Sequence, residues 1–214
     1  MSSTEYCNQF YIETTVCVEL RNRGYETLLI SSQKESIALG EYSIPNIMFS
    51  SKYNENEKVL ALNHYVRHLE MKHHPDIIVI GVPGAAMPYH YQYSSDFGIL
   101  AYEFSEAIKP DFAILSSPCM SYDLDFFKSV EDGLHGRLGI FVDVHSLSPY
   151  ALDFTGFSKE KCLAYLSLND LYVQESIEQI KYNKLLNLNN INGVSSAVDR
   201  LIDKLSNNIG SLIT

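Results

Sequence analysis

The sequence predicts an α/β fold, a doubly wound and mostly parallel sheet with helices on both faces, Rossmann-like in its order of elements. Three observations predict it. Ile77, Ile78, Val79 and Ile80 form an unbroken β-branched run, continued by Val82, without the polar alternation of a half-exposed strand; a strand buried on both faces reads this way. Apolar stretches of strand length alternate with longer segments of helical period over most of the chain, the pattern of crossover units in a parallel sheet. Finally, Gly81, Pro83 and Gly84 follow the apolar run at once. They end the strand and suit a tight loop at its carboxyl end, where open α/β sheets place their ligands.

Taken in order, residues 1–8 are polar and without period. Residues 9–23 carry Phe10, Ile12, Val16, Cys17 and Leu20 near helical spacing and stop at Gly24, a helix C-terminal signal. A strand over 25–30 follows. A helix that opens a doubly wound domain normally follows a first strand, and none is visible upstream of Ser2. The missing strand is expected to belong to another chain or to a truncated part of the gene, and because an unpaired edge is a liability, self-association or a partner subunit is expected. Residues 31–40 are a polar connection, and 43–50 are a short apolar piece interrupted by Pro45. Residues 54–74 form the longest helical pattern, with Val59, Leu62, Val66 and Leu69 on one stripe. Asn54 caps that helix and Glu57 completes a capping box; Pro75 ends it.

Beyond the glycine loop lies an aromatic tract, Tyr89, His90, Tyr91, Gln92 and Tyr93, then a helix over 95–108 closed by Pro110. A strand over 112–115 leads into Ser116, Ser117, Pro118, Cys119 and Met120. Residues 124–134 read as a helix and 139–144 as a strand whose exit holds Asp143, His145 and Ser146. A strand over 161–168, a helix over 169–183 and a terminal helix over 195–208 complete the pattern. The Asn-rich stretch within 185–194 reads as a surface linker to that last helix. The 214 residues suffice for one domain with a sizeable core.

A formal charge of −10 argues against nucleic acid or an anionic membrane surface as the main partner. No apolar run approaches the roughly 20 residues that span a bilayer, and the N-terminus has no signal-peptide pattern, so a cytoplasmic protein is expected. The four cysteines, Cys7, Cys17, Cys119 and Cys162, are dispersed. No pair has the spacing of a zinc or redox motif, and buried free thiols are the expected state of Cys17 and Cys162.

The loops after the strands supply the candidate residues. Gly81, Pro83, Gly84, Met87, His90, Ser116 and Ser117 form the expected ligand-binding set at one crevice. Cys119, His145 and Asp143 have the residue types of a nucleophile, base and orienting acid. A plainer account makes them a loop cysteine and a strand-end pair with local hydrogen bonds. His64 and His68 are one turn apart on a helix, the spacing of two metal ligands, but a third ligand is missing and a solvated helix face is expected. Neither a Gly-X-Gly-X-X-Gly pattern nor a Gly-Lys-Ser/Thr sequence is present, so nothing names a nucleotide or any other cofactor. The tyrosines of residues 89–93 suit a peptide-docking rim or ordinary packing.

Asn63, His64, Tyr65 and Val66, the block from Pro75 through Gly81, Val82, Pro83 and Gly84 to Met87 and Pro88, and the string Phe97 to Glu103 followed by Pro110 to Ile114 carry a family resemblance. They resemble the C-terminal half of clostridial peptide-maturation system proteins, over residues 6–168 and most densely over 63–115. Such proteins accompany small ribosomal peptides and radical-SAM modifying enzymes. Two departures stand out: Ala85 replaces an expected glycine, and the family has an N-terminal half with a strand leading into the first helix. The resemblance implies an accessory or binding protein that holds a peptide precursor or modifying enzyme at the crevice, and it implies no catalytic residues. A second reading is a small-molecule enzyme using Cys119 or His145 for acyl transfer or hydrolysis. A third is a dimeric scaffold related to degenerate P-loop-type domains.

Overall fold

Most of the expected strands and helices lie close to where apolar period puts them in the computed structural model, which describes residues 1–4, 7–86, 98–153 and 164–211. Strands β1 (Thr27–Ser31), β2 (Tyr42–Ser43) and β3 (Ile77–Ile80) form one parallel sheet in the order β2-β1-β3. Strands β4 (Ile114–Ser117), β5 (Val144–Leu147) and a short later strand, Leu185–Leu186, form another, with β5 in the middle. Between β5 and that last strand in sequence lie β6 (Tyr150–Asp153) and β7 (Ala164–Ser167), an antiparallel pair; Leu185–Leu186 is thus β8.

What joins the two parallel sheets is the chain's own beginning. Ser2 bridges in parallel to Ala85, just beyond β3, and to Ser116 of β4. Ser3 donates its N–H to the Ser116 carbonyl at 2.8 Å, and the Ser116 N–H reaches the Met1 carbonyl at 3.1 Å. The first strand expected upstream of Ser2 is therefore present in part, at the carboxyl-end level of the sheet, and supplied by this chain. Ser2, Ser3 and Thr4 are buried although all are polar. The Ser2 carbonyl accepts from the Ala86 N–H and the Ser3 N–H goes to Ser116, which offsets the cost of burying these two backbone groups.

Helices α1 (Gln9–Asn22), α2 (Glu55–His73), α3 (Ile99–Ala107), α4 (Leu124–Leu138), α5 (Asp170–Ile180) and α6 (Ile191–Ser211) cover both faces. Ile12, Val16 and Leu20 of α1 meet Val194, Val198 and Leu201 of α6 on one face, against Ile77, Val79 and Ile114. The opposite face of β3, Ile78 and Ile80, meets Leu62, Val66 and Leu69 of α2 with Phe104 of α3. Farther along that face, Val130 and Leu134 of α4 cover Ala113 and Leu115. Alternate residues of each strand feed opposite layers, the period-2 rule of a doubly wound sheet.

The α2 boundary is written in its sequence. Asn54 accepts from the Glu57 N–H and the Glu57 side chain accepts from the Asn54 N–H, a complete capping box. Elsewhere the boundaries move. Helix α4 runs on to Leu138, and β5 begins at Val144, so Asp143 sits at the amino end of that strand and His145 lies within it. The Asn-rich stretch is no surface linker: it contains β8, Leu188 is fully buried, and Asn189 donates to the Leu147 carbonyl at 2.8 Å. No helix among the described residues is long and apolar enough to cross a membrane.

Candidate functional site

At the carboxyl ends of the strands, the space expected to take a ligand is occupied by the start of the chain. Ser2 Oγ lies 3.1 Å from the Gly84 carbonyl oxygen and 3.0 Å from Gln9 Oε1. Gln9 donates to the Val82 carbonyl at 2.7 Å, and Ser116 Oγ donates to the Cys7 carbonyl at 2.8 Å. Ser117 Oγ is buried with no hydrogen-bond partner. Pro83 is half-buried beside these groups. Gly84 and Ser116 are thus brought together, but around Ser2 and Cys7 of the same chain, with Ser117 next along β4 and Gly81 against Glu13. Met87, His90 and the tyrosine tract lie outside the described residues, as does Cys162.

Sequence reasoning missed the acid at the centre of this arrangement. Glu13 on α1 is buried and accepts from Ser31 Oγ at 2.8 Å, Ser32 N–H at 3.1 Å and Ser32 Oγ at 2.7 Å. Its carboxylate lies against Gly81, in the space a β-carbon there would fill. A glutamate between Ile12 and Val16 on the buried stripe of α1 was the available signal, since a charge on that face needs partners.

The proposed triad is not assembled. Cys119 is buried in the cluster of Phe127, Leu147 and Val173, and burial pushes its thiol pKa up against a smaller opposing hydrogen bond from Ser176. That is the wrong direction for a nucleophile. His145 Nε2 is 2.9 Å from Glu131 Oε1 on α4, and its Nδ1 is buried with no partner, so neither nitrogen reaches Cys119. Asp143 accepts from Lys204 of α6 at 2.6 Å and from the Ala113 N–H at 2.9 Å. His145 belongs to a different group: Glu131 also accepts from Tyr182 at 2.6 Å and Lys184 at 2.8 Å. Burial lowers the His145 pKa, with Glu131 opposing it less strongly, so the imidazole is neutral at pH 7. His64 and His68 are exposed on α2.

A further opening lies inside the sheet. Below Ser2, β3 and β4 are not paired with each other, and a cavity of about 690 Å³ separates them. Both edges of it are strand edges. The Ile77 and Gly81 N–H groups go to β1 residues or their neighbour, reaching Glu26 at 3.3 Å and Ile30 at 2.9 Å. In a parallel ladder the intervening Ile78 and Ile80 turn their N–H and C=O groups the other way, into the cavity. On β4, the Ala113 and Ser117 carbonyls accept from β5-side residues Asp143 and Ser148, so Ile114 faces the gap. Ile12 and Val16 of α1 with Leu201 and Leu205 of α6 wall one side, and Val66 of α2 with Ile108 the other. Every residue of β3 stays only half-buried, although its composition is that of a central strand. Because Ser2 pairs with both neighbours, the gap is one strand wide, its walls two strand spacings or roughly 9.6 Å apart.

The amino group of Met1 closes the carboxyl end of this gap, donating to the Ile114 carbonyl at 3.1 Å. Burial pulls its pKa down, with attraction to Glu13 and Cys7 opposing. Arg67, Glu70, Asp76, Lys109 and Asp111 stand at the cavity's other residues, charged where the adjoining helices and strands end or begin. An opening with apolar helix walls and strand edges at Ile78, Ile80 and Ile114 can accept an extended polypeptide, whose backbone supplies donors and acceptors to both edges.

No family model matches the sequence, and no curated protein matches it. Among solved structures it is similar to a DUF1611 family protein from Anabaena variabilis ATCC 29413, with a TM-score of 0.60 at 10% identity over 95% of this chain. This chain spans 56% of that one. At such identity the likeness concerns the α/β fold alone.

Proposed function

We propose that this chain is a binding protein that docks another polypeptide, and that it serves as an accessory in the maturation of a ribosomally made peptide. Its partner is the peptide precursor or a modifying enzyme. The observation that carries the reading is the one-strand gap between β3 and β4, with Ile78, Ile80 and Ile114 presenting backbone groups to it. Main-chain hydrogen bonds along two strands give affinity to an added strand, and the helix walls select its side chains. The enzyme reading has less support, since Cys119 is a buried thiol with a raised pKa and His145 is engaged by Glu131.

The test is native mass spectrometry of the protein purified from its own host, followed by amide hydrogen exchange of the complex and of the separated chain. A co-purifying polypeptide that slows exchange at Ile78, Ile80 and Ile114 is the expected result. A bare chain, or a complex whose protection lies elsewhere, overturns the reading.

A further inference from the structure

We infer that the pocket at the carboxyl ends of β1 and β2 binds a small apolar zwitterion, a single α-amino acid, with its carboxylate on Lys34, its ammonium on Glu35 and its side chain against Ile44 and Phe49. This site lies on the β2 side of its half-sheet and the gap on the β3 side, so it stands apart from the polypeptide-docking reading.

The place is one where parallel α/β sheets take their ligands: a cavity of about 240 Å³ opens where the chain leaves β1 and β2. Its frame is built of buried groups. Glu13 holds Ser31 Oγ and both the N–H and the Oγ of Ser32. Ser31 Oγ in turn accepts from the Gln33 N–H at 3.1 Å. The hydroxyl of Ser36, fully buried, reaches the carbonyls of Gln33 and Tyr42 at 2.8 and 3.2 Å and so ties the turn after β1 to β2. The Ile44 N–H returns to the Ser31 carbonyl at 3.3 Å, and Tyr65 donates to the Ser43 carbonyl at 3.0 Å. A buried carboxylate needs donors to be tolerated, and the donors Glu13 has are the turn that frames the pocket.

Above that frame the side chains are free to meet a ligand. Gln33, Lys34 and Glu35 are exposed and line the pocket, and among the described residues none of the three makes a side-chain hydrogen bond or ion pair. Lys34 Nζ stands 6.0 Å from the centroid of the Phe49 ring, whose face attracts an ammonium and offers it no counter-charge. Opposite charges on successive residues that do not pair with each other leave one place for an anion and one for a cation. A zwitterion fills both without adding net charge. A phosphate ester fits badly, because the carboxylate beside the single ammonium repels it.

Size and polarity set the rest. The cavity is smaller than the roughly 300–1,000 Å³ of ordinary ligand clefts, which suits one amino acid and excludes a nucleotide or a longer peptide. Its apolar lining is Ile44, buried, and Phe49, 49% exposed. An aliphatic side chain laid on that ring removes apolar surface from water.

The experiment is an amide NMR titration of the whole isotope-labelled chain with L-leucine at pH 6.5, where an α-amino group is charged. Leucinamide, which lacks the carboxylate, and isocaproic acid, which lacks the ammonium, are the comparison probes. Saturable shifts centred on Gln33, Lys34, Glu35 and Phe49 are expected with L-leucine. Each comparison probe is expected to bind about fivefold more weakly, the upper range for one exposed ion pair. Lys34→Gln is expected to erase the advantage of L-leucine over leucinamide while keeping that over isocaproic acid, and Glu35→Gln to do the reverse. Both side chains are exposed, and unchanged amide shifts outside the pocket show that each variant is folded. Equal binding of L-leucine and either comparison probe to the unmutated chain overturns the zwitterion assignment. Absence of saturable shifts at these residues, or shifts confined to Ile78, Ile80 and Ile114, overturns the site altogether and leaves polypeptide docking in the gap to its own test.

Discussion

Glu131 is the residue on which the far half of the sheet leans. Burial alone would push its carboxyl pKa up, but hydrogen bonds from Lys184, Tyr182 and His145 outweigh that and hold it below the ordinary value of 4.5. Replacing it, Glu131→Gln, removes the charge from three partners and is expected to cost about 1–3 kcal/mol, read from urea unfolding at pH 7.5. The pH dependence has a definite sign. His145 has a folded pKa depressed below 6.5, so the unfolded chain binds the extra proton as the pH drops through that value. Glu131, also depressed, contributes stability that is present above 4.5 and is lost as the pH falls toward its folded pKa. Both terms make acid destabilising, the imidazole first. Stability is expected to fall from pH 7.5 to 5.5 with a slope of at most about 1.4 kcal/mol per pH unit from this one proton, and His145→Gln is expected to flatten that slope. An unchanged slope in the variant removes His145 as the cause. At Cys119 the expectation concerns access: iodoacetamide at pH 7.5 should leave it unmodified in the folded chain and label it fully in urea, as peptide mapping would report. Rapid labelling of the folded protein would restore it as a candidate nucleophile.

Two helices show how close the elements come to one another. A β-carbon on Gly193, in the first turn of α6, would run into the Asn187 backbone, whereas one on Gly81 would meet the Glu13 side chain. Backbone cannot swing aside, and a carboxylate with three hydrogen bonds moves only by giving them up. Gly193→Ala is therefore expected to lower the Tm more than Gly81→Ala, each costing at least about 1–3 kcal/mol by overpacking; the reverse order would mean that α6 shifts freely. The Asn187 approach also explains what the sequence concealed. The polar run at 187–192 resembled a linker because its side chains are amides, yet Asn187 and Asn189 spend those amides on Gln174, Leu147 and each other. Short-range composition cannot tell a solvated amide from one that stitches a buried turn. By contrast α2 and β3 were legible, because a capping box and an unbroken β-branched run are decided within a few residues of sequence. His145 and Ser146 hid β5 for the opposite reason: a buried strand with two polar side chains reads as a strand's exit until Glu131 is seen to engage His145 Nε2 and the Leu188 N–H to reach Ser146 Oγ.

For the whole molecule, the decisive feature is that two parallel half-sheets meet through residues 1–4. The alternation of strands and helices gave the architecture, but it could not show this, because four small polar residues carry no strand pattern and their role depends on β3 and β4, which lie far along the chain. Four backbone hydrogen bonds hold the segment: Met1 N–H to Ile114, Ser116 N–H to Met1, Ser3 N–H to Ser116 and Ala86 N–H to Ser2. At roughly 1 kcal/mol each these amount to about 4 kcal/mol, a large part of the 5–15 kcal/mol that stabilises an ordinary domain. Removing residues 1–4 lengthens the gap to the full height of the sheet and leaves α1 and α6 as the main tie between the halves on one face. The expected outcome is a loss of cooperativity, with calorimetry showing two smaller transitions, or one at a much lower Tm, in place of a single peak. A truncated chain that melts at the same temperature and with the same enthalpy would mean that the helix layers alone unite the halves. In that case the gap would be a seam between two separately stable units, and a strand docked in it would add affinity without adding stability to either side.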